Sequence, residues 1–182
     1  RRDLDLDIYD KVVLNHGLMS ERKNITALIE AMTFLPIHYK LLLVGSGDPT
    51  YIEKINEFIK VKRLEERVIT VGYTPYPQVP IAYQVSDVFV LPSTWEGLPK
   101  AVMQGLACGV PCLVSGFKLS TDVLGLYYLE KQEPQYIAEM IKQIIENPLP
   151  VDVKKIELLY SWEKRAHEIE QIYQFAIKNY LV

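Results

Sequence analysis

The chain has 182 residues, 49% of them hydrophobic and 24% charged, with a formal net charge of −3. That composition describes one globular domain with enough apolar residues for a real core, and it excludes a disordered chain. The mild acidity argues against a dedicated nucleic-acid binder, and the apolar runs are too short to span a bilayer.

The opening decapeptide RRDLDLDIYD is charged but leads into no apolar h-region, so no secretory signal is expected. Arg1 stands where a methionine would, which leaves room for a processed or excised piece of a longer protein. Lys11–Asn15 (KVVLN) predicts the first strand. Ser20 is placed to cap a helix whose apolar face is Ile25, Leu28, Ile29 and Met32. Tyr39–Val44 (YKLLLV) predicts a second strand, closed by GSGD, and Pro49 opens a helix with Ile52, Ile55 and Ile59 on one side. Val68–Val71 is a third strand, a short helix follows around Pro80–Val85, and Val88–Leu91 is a fourth strand. The stretch STWEGLPKAVMQGLACG then supplies a turn and a helix, Pro111–Val114 a fifth strand, and Tyr127–Leu129 a short sixth. An amphipathic helix over Pro134–Glu146 carries Ile137, Met140, Ile141 and Ile144 and is broken at Pro148–Pro150. Two more helical segments follow, about Val153–Tyr160 and Trp162–Leu181.

Repeated β-α units with wholly apolar strands imply an α/β fold with a parallel sheet covered on both faces. Right-handed crossovers make it Rossmann-like and doubly wound, with about six strands. The whole chain, 1–182, reads as one domain, with 151–182 as a helical C-terminal extension. Ligands of such sheets bind beyond the C-terminal strand ends, so the chemistry is expected in the loops that follow the strands.

GSGD, with Gly45 and Gly47, lacks the third glycine of a dinucleotide fingerprint. It is either a tight turn or a place where backbone approaches a ligand closely. In HGLMSERKN, Lys23 falls in the first turn of the helix after strand one, where it is either solvated or set against an anion such as a phosphate. In GYTPYPQVP, Tyr73 and Tyr76 alternate with prolines, giving either a packed loop or a stiff aromatic platform for a base. The richest segment runs from Ser93 to Gly109. Gly97 permits close approach, Pro99 suits a first helical turn, and the free N–H groups near Leu98 and Lys100 can hold a phosphate. Glu96 can accept from sugar hydroxyls, and Gln104, eight residues on, points toward the same mouth. The bland alternative is a solvated Glu and a core-edge Gln. Cys108 and Cys112 match neither a redox pair nor a zinc site and read as reduced thiols of a reducing compartment. His16, His38 and His167 are scattered, so no metal site is expected.

In order, the segments SERKNITALIEAM, KLLLVGSGD, RVITVGY, VSDVFVLPSTWEGLPKAVMQGLACGVPCLVS and SWEKRAHEIEQIY resemble the C-terminal, donor-binding half of retaining glycosyltransferases of the GT-B fold, the large family-4 group. The resemblance covers about Val12 to Tyr173, and PSxxEGLPxxxxxGxAxGxP is its specific element. It implies a nucleotide-diphosphate sugar, UDP- or GDP-linked, as donor substrate, with no cofactor and no metal. It implies a sugar-contacting acid at Glu96 and a diphosphate-neutralising lysine at Lys23, and together with the loop readings above the expected donor-binding set is Gly17, Leu18, Lys23, Gly45, Gly47, Tyr73, Glu96, Gly97, Leu98, Pro99, Lys100 and Gln104. Three positions depart from the pattern. Gln104 stands where the family has a second acid for the ribose, Leu18 stands where it has an arginine, and SGFKLSTDVL has one glycine, with Asp122 as its nearest acid. The resemblance further implies a partner, the N-terminal acceptor-binding domain, without which the isolated chain is expected to fold but not turn over. It places the protein in the cytoplasm; peripheral contact with the inner membrane face is common in the group, though no residue here demands it. A degenerate, non-catalytic nucleotide-binding or protein-interaction module on the same fold stays open as the alternative.

Overall fold

The structure is a computed structural model and describes residues 1–180. Strands β1 (Lys11–His16), β2 (Tyr39–Val44), β3 (Val68–Val71), β4 (Val88–Leu91), β5 (Cys112–Val114) and β6 (Leu126–Tyr128) form one sheet in the order β3-β2-β1-β4-β5-β6. Every neighbouring pair is parallel. The helices are α1 (Ile25–Ala31), α2 (Pro49–Val61), α3 (Val79–Gln84), α4 (Lys100–Ala107), α5 (Pro134–Glu146), α6 (Val153–Tyr160) and α7 (Trp162–Tyr180).

Side chains alternate across the strands and build two cores, because successive residues of a strand face opposite sides. Val13, Leu41, Leu43, Val88, Val90 and Leu113 pack under α1, α2 and α5. Val12, Leu14, Leu42, Phe89, Leu91 and Val114 pack under α3, α4 and α6. This is the doubly wound α/β layout expected, with helices on both faces. The strand order reverses between β1 and β4, and that reversal opens the crevice where such sheets take ligands. The loops after β1 and β4 therefore lie side by side, although some seventy residues of chain separate them.

Local details differ from expectation: β1 runs one residue longer, to His16, β5 starts one residue later, at Cys112, and α3 is Val79–Gln84. Ser20 does not cap the first helix. It precedes a 3-10 turn over Glu21–Lys23, and Asn24, at φ 50°, breaks the chain before α1 begins. Pro99 stands just before α4 rather than within its first turn. Strand β6 starts and ends one residue earlier than predicted. The expected last helix is present from Trp162, while its predicted end, Leu181, lies outside the described residues. Pro49 does open α2, and the Asp48 carboxylate ahead of it accepts from the Thr50 and Tyr51 N–H groups at 3.0 and 3.4 Å.

The loops after β1 and β2 are locked to each other. Gly17 N–H donates to Val44 O at 2.9 Å and Met19 N–H to Ser46 O at 2.7 Å. Gly45 sits at φ 135°, and a Cβ there would fall 2.0 Å from Gly17 O. A Cβ on Gly47 would fall 2.4 Å from Met19 O. Both glycines thus permit close approach of backbone to backbone, and tight packing accounts for them without a ligand. Among the described residues, no helix is long and apolar enough to cross a membrane.

Candidate functional site

Lys23 ends the 3-10 turn after β1, and the residue is only 9% exposed. Its ammonium lies over Gly17, where a Cβ would be 3.0 Å from Nζ, so the missing side chain leaves the cation its room. Across the crevice, Nζ is 3.9 Å from Glu96 Oε1. Burial pushes the Lys23 pKa below its ordinary value; the Glu96 carboxylate pulls it back up, and the neighbouring Arg22 charge pushes it down again. Burial of the ammonium is thus only partly offset by its carboxylate partner.

Glu96 is held from every side. Its N–H donates to Gly116 O at 2.8 Å, Ser93 Oγ donates to Oε1 at 2.8 Å, and Arg22 Nη1 lies 2.9 Å from Oε2. Arg22 also donates to Trp95 O, and its guanidinium lies 5.7 Å from the Trp95 ring centroid. Its own carbonyl accepts from Thr94 N–H at 2.9 Å. Ser93 is anchored in turn, since its carbonyl accepts from Ser115 Oγ at 2.8 Å and from Gln132 Nε2 at 2.9 Å. Loops that follow β1, β4, β5 and β6 are thereby joined around one carboxylate.

Just beyond Glu96, helix α4 begins without a side-chain cap. Its first N–H groups, from Lys100 and Ala101, have no carbonyl partner within the helix and are available to an anion. A Cβ built on Gly97 would meet nothing within 4 Å, so open space lies beside this turn. On the far side, His16 Nδ1 is 3.1 Å from Tyr83 Oη, and Tyr83 donates to Ala101 O at 2.7 Å. Because the phenol proton goes to Ala101, the imidazole donates through Nδ1. Burial, and then the Lys23 charge, lower its pKa, which favours the neutral ring.

The structure brings Gly17, Lys23, Glu96 and the turn before α4 into one cluster at the topological switch point. The other expected residues lie in the loops around it and on α4. Leu18 is 64% exposed and supplies no charge, and Tyr73 is 77% exposed. Leu98 and Lys100 are exposed, while Pro99 is buried. Gln104 is on α4. It lines a neighbouring cavity of about 250 Å³ between α3 and α4, with Tyr76, Pro77, Val79, Pro80 and Tyr83. Tyr76 and Tyr83 are the aromatic residues that line it with Gln104. Asp122 is exposed, and Lys118 lies over the Tyr128 ring at 5.8 Å. Among the described residues, no cluster of His, Cys, Asp or Glu could hold a metal ion.

Two supporting residues escape a reading of the sequence. Ser93 had a weak local signal, a hydroxyl three residues before the acid. Gln132 had none, because it reaches Ser93 from beyond β6.

A family model described as glycosyl transferases group 1 matches residues 1–169. The chain belongs to that family. An uncharacterized glycosyltransferase of Methanocaldococcus jannaschii is 27% identical over 192 aligned positions, which take in 98% of this chain and 48% of the relative. The solved sucrose-phosphate synthase of Thermosynechococcus elongatus superposes with a TM-score of 0.87 at 26% identity, over 98% of this chain and 48% of that one. HepE of Anabaena, solved in complex with UDP, gives a TM-score of 0.82 over 96% of this chain and 51% of that one. At 19% identity that likeness shows the fold alone. This group 1 glycosyltransferase chain spans about half the length of these relatives. Within that fold, the Lys23–Glu96 cluster occupies the switch point, and the α4 start faces it.

Proposed function

We propose that this domain binds a nucleotide-diphosphate sugar, UDP- or GDP-linked, across the β1/β4 crevice for retaining transfer of the glycosyl group to an acceptor hydroxyl. The observation that carries the reading is the buried Lys23 ammonium facing Glu96 beside the uncapped start of α4. As the bond from sugar to diphosphate breaks, negative charge gathers on the leaving phosphate oxygens. Lys23 and the N–H groups of the Leu98–Lys100 turn and of Ala101 stand where they can stabilise it. Glu96 orients the sugar by accepting from its hydroxyls, and Gly97 gives the sugar space. Gln104 accepts from the ribose, and Tyr76 flanks the base. Catalysis on this reading is positioning plus electrostatics.

The acceptor site belongs to a second, N-terminal domain, in keeping with a chain half as long as its relatives. That domain would cover α7, whose Trp162, Ile169, Ile172, Tyr173 and Phe175 are exposed. The free thiols Cys108 and Cys112 accord with a cytoplasmic setting.

The test is titration of the 182-residue chain with UDP- and GDP-sugars, followed by NMR of the loops holding Lys23, Tyr73 and Leu98. Binding should shift those signals without sugar transfer by the isolated chain, and unmoved signals at saturating nucleotide favour a non-catalytic module. Gln104→Glu should tighten the binding several-fold, because a charge-assisted bond to the ribose contributes ~1.5–3 kcal/mol against ~1 for a neutral one. No change on Gln104→Glu would place the ribose elsewhere.

A further inference from the structure

The cluster around Glu96 holds two cations and one anion. Arg22 and Lys23 are adjacent in the chain, and both face the same carboxylate, at 2.9 and 3.9 Å. His16 beside them tends to the neutral form. The group thus carries a net positive charge that the protein leaves unmatched, next to the unpaired N–H groups of α4. Both Glu96 oxygens are already engaged, Oε1 by Ser93 and Oε2 by Arg22. Each carboxylate oxygen can accept two hydrogen bonds, so a sugar hydroxyl on Oε2 shares that oxygen with Arg22 for as long as Arg22 stays on it.

Arg22 is the group able to move. Its side chain is 41% exposed, against 11% for Lys23 and 9% for Glu96. Part-exposed ion pairs exchange at small cost. A guanidinium has five donors in a planar fork, suited to phosphate oxygens as well as to a carboxylate. Leu18, four residues earlier in the chain, carries no cation to compete for the role.

Resting on the donor-site reading above, we propose that Arg22 serves two anions in turn: it holds Glu96 until a diphosphate arrives, then transfers its fork to the diphosphate and releases Glu96 to the sugar. Arg22 is then both the second phosphate-binding cation of the site and a latch that ties sugar recognition to diphosphate binding. Arg22 also touches the Trp95 carbonyl and ring, contacts that the exchange has to break or reshape.

The experiment measures calorimetric affinities of the 182-residue chain for inorganic pyrophosphate, UDP-glucose and GDP-mannose. Arg22→Gln should weaken pyrophosphate about tenfold, and Arg22→Lys should recover most of the loss. Glu96→Gln should tighten pyrophosphate several-fold, and that gain should shrink in the Arg22→Gln background, because the two side chains compete through one contact. Thermal melts establish that each variant is folded. Pyrophosphate bound equally by Arg22→Gln and the unaltered chain, or an equal Glu96→Gln gain in both backgrounds, overturns the latch. If a nucleotide sugar binds the unaltered chain and Arg22→Gln alike, Arg22 loses its role while the donor site stands. If none of the three probes binds the unaltered chain, the donor-site reading falls and the latch falls with it.

Discussion

Lys23→Met is expected to weaken binding of the donor nucleotide sugar about a hundredfold, through loss of a charged contact to the diphosphate from inside a poorly solvated site. The same substitution is expected to raise the stability of the fold at neutral pH. Burial lowers the Lys23 pKa below its ordinary 10.5, so folding works against the ammonium form. Between the lowered pKa and 10.5 the unfolded chain holds the proton more tightly than the folded one. Stability of the unaltered protein therefore rises as pH climbs through that window, and below it the cost of burying the ammonium is fully present. Methionine removes that cost and fills a similar volume. Glu96 is not stranded, because Arg22 at 2.9 Å and Ser93 at 2.8 Å remain its partners. Urea melts from pH 7 to above 10.5 should show the variant ahead at pH 7 and its lead shrinking as pH rises. A variant less stable at pH 7 would mean that the Lys23–Glu96 attraction outweighs burial. Opposite signs for affinity and stability are the mark of a residue kept for its chemistry.

Gly45→Ala is expected to be severely destabilising, by about 3 kcal/mol or more, because strain and overlap act together. The backbone there has φ 135°, and the new methyl would sit 2.0 Å from Gly17 O, a backbone atom of a residue whose N–H is tied to Val44 O. Relief would require parting the loops after β1 and β2, which carry Lys23 on one side. Gly97→Ala makes the contrast. Its φ lies outside the left-handed region and its Cβ would meet nothing within 4 Å, so stability should stay within about 0.5 kcal/mol of the original. Donor affinity should nevertheless fall, since the methyl would enter the space assigned to the sugar. Denaturant melts and nucleotide-sugar titrations of both variants separate the two roles. A Gly97→Ala chain that binds the donor unchanged would move the sugar away from this turn.

Much of the architecture was legible because its signals are local. Val88–Leu91 and Leu41–Val44 are apolar on both faces, which only a covered parallel strand tolerates. Pro49, Pro134 and the Pro148–Pro150 break marked helix ends, since a proline ring sets φ and removes a donor. The Ser20 cap failed for an equally local reason. Asn24, which tolerates a left-handed conformation, splits the segment into a 3-10 turn and a shorter helix.

At the site, residue types and spacing along one segment pointed to Glu96, Gly97 and the start of α4, and the position after β1 pointed to Lys23. Distances across the crevice were beyond such reading. The pairing of Arg22 with Glu96 and the Ser93–Gln132–Ser115 support depend on side chains from loops far apart in sequence. The meaning of Gly45 and Gly47 likewise needed the neighbouring loop, because a glycine only records that space is short and not what fills it. Periodicity along the chain specified the doubly wound sheet and the edge at which chemistry would gather. Packing in three dimensions decided which charges meet there, because a strand reversal brings together loops that no local pattern connects.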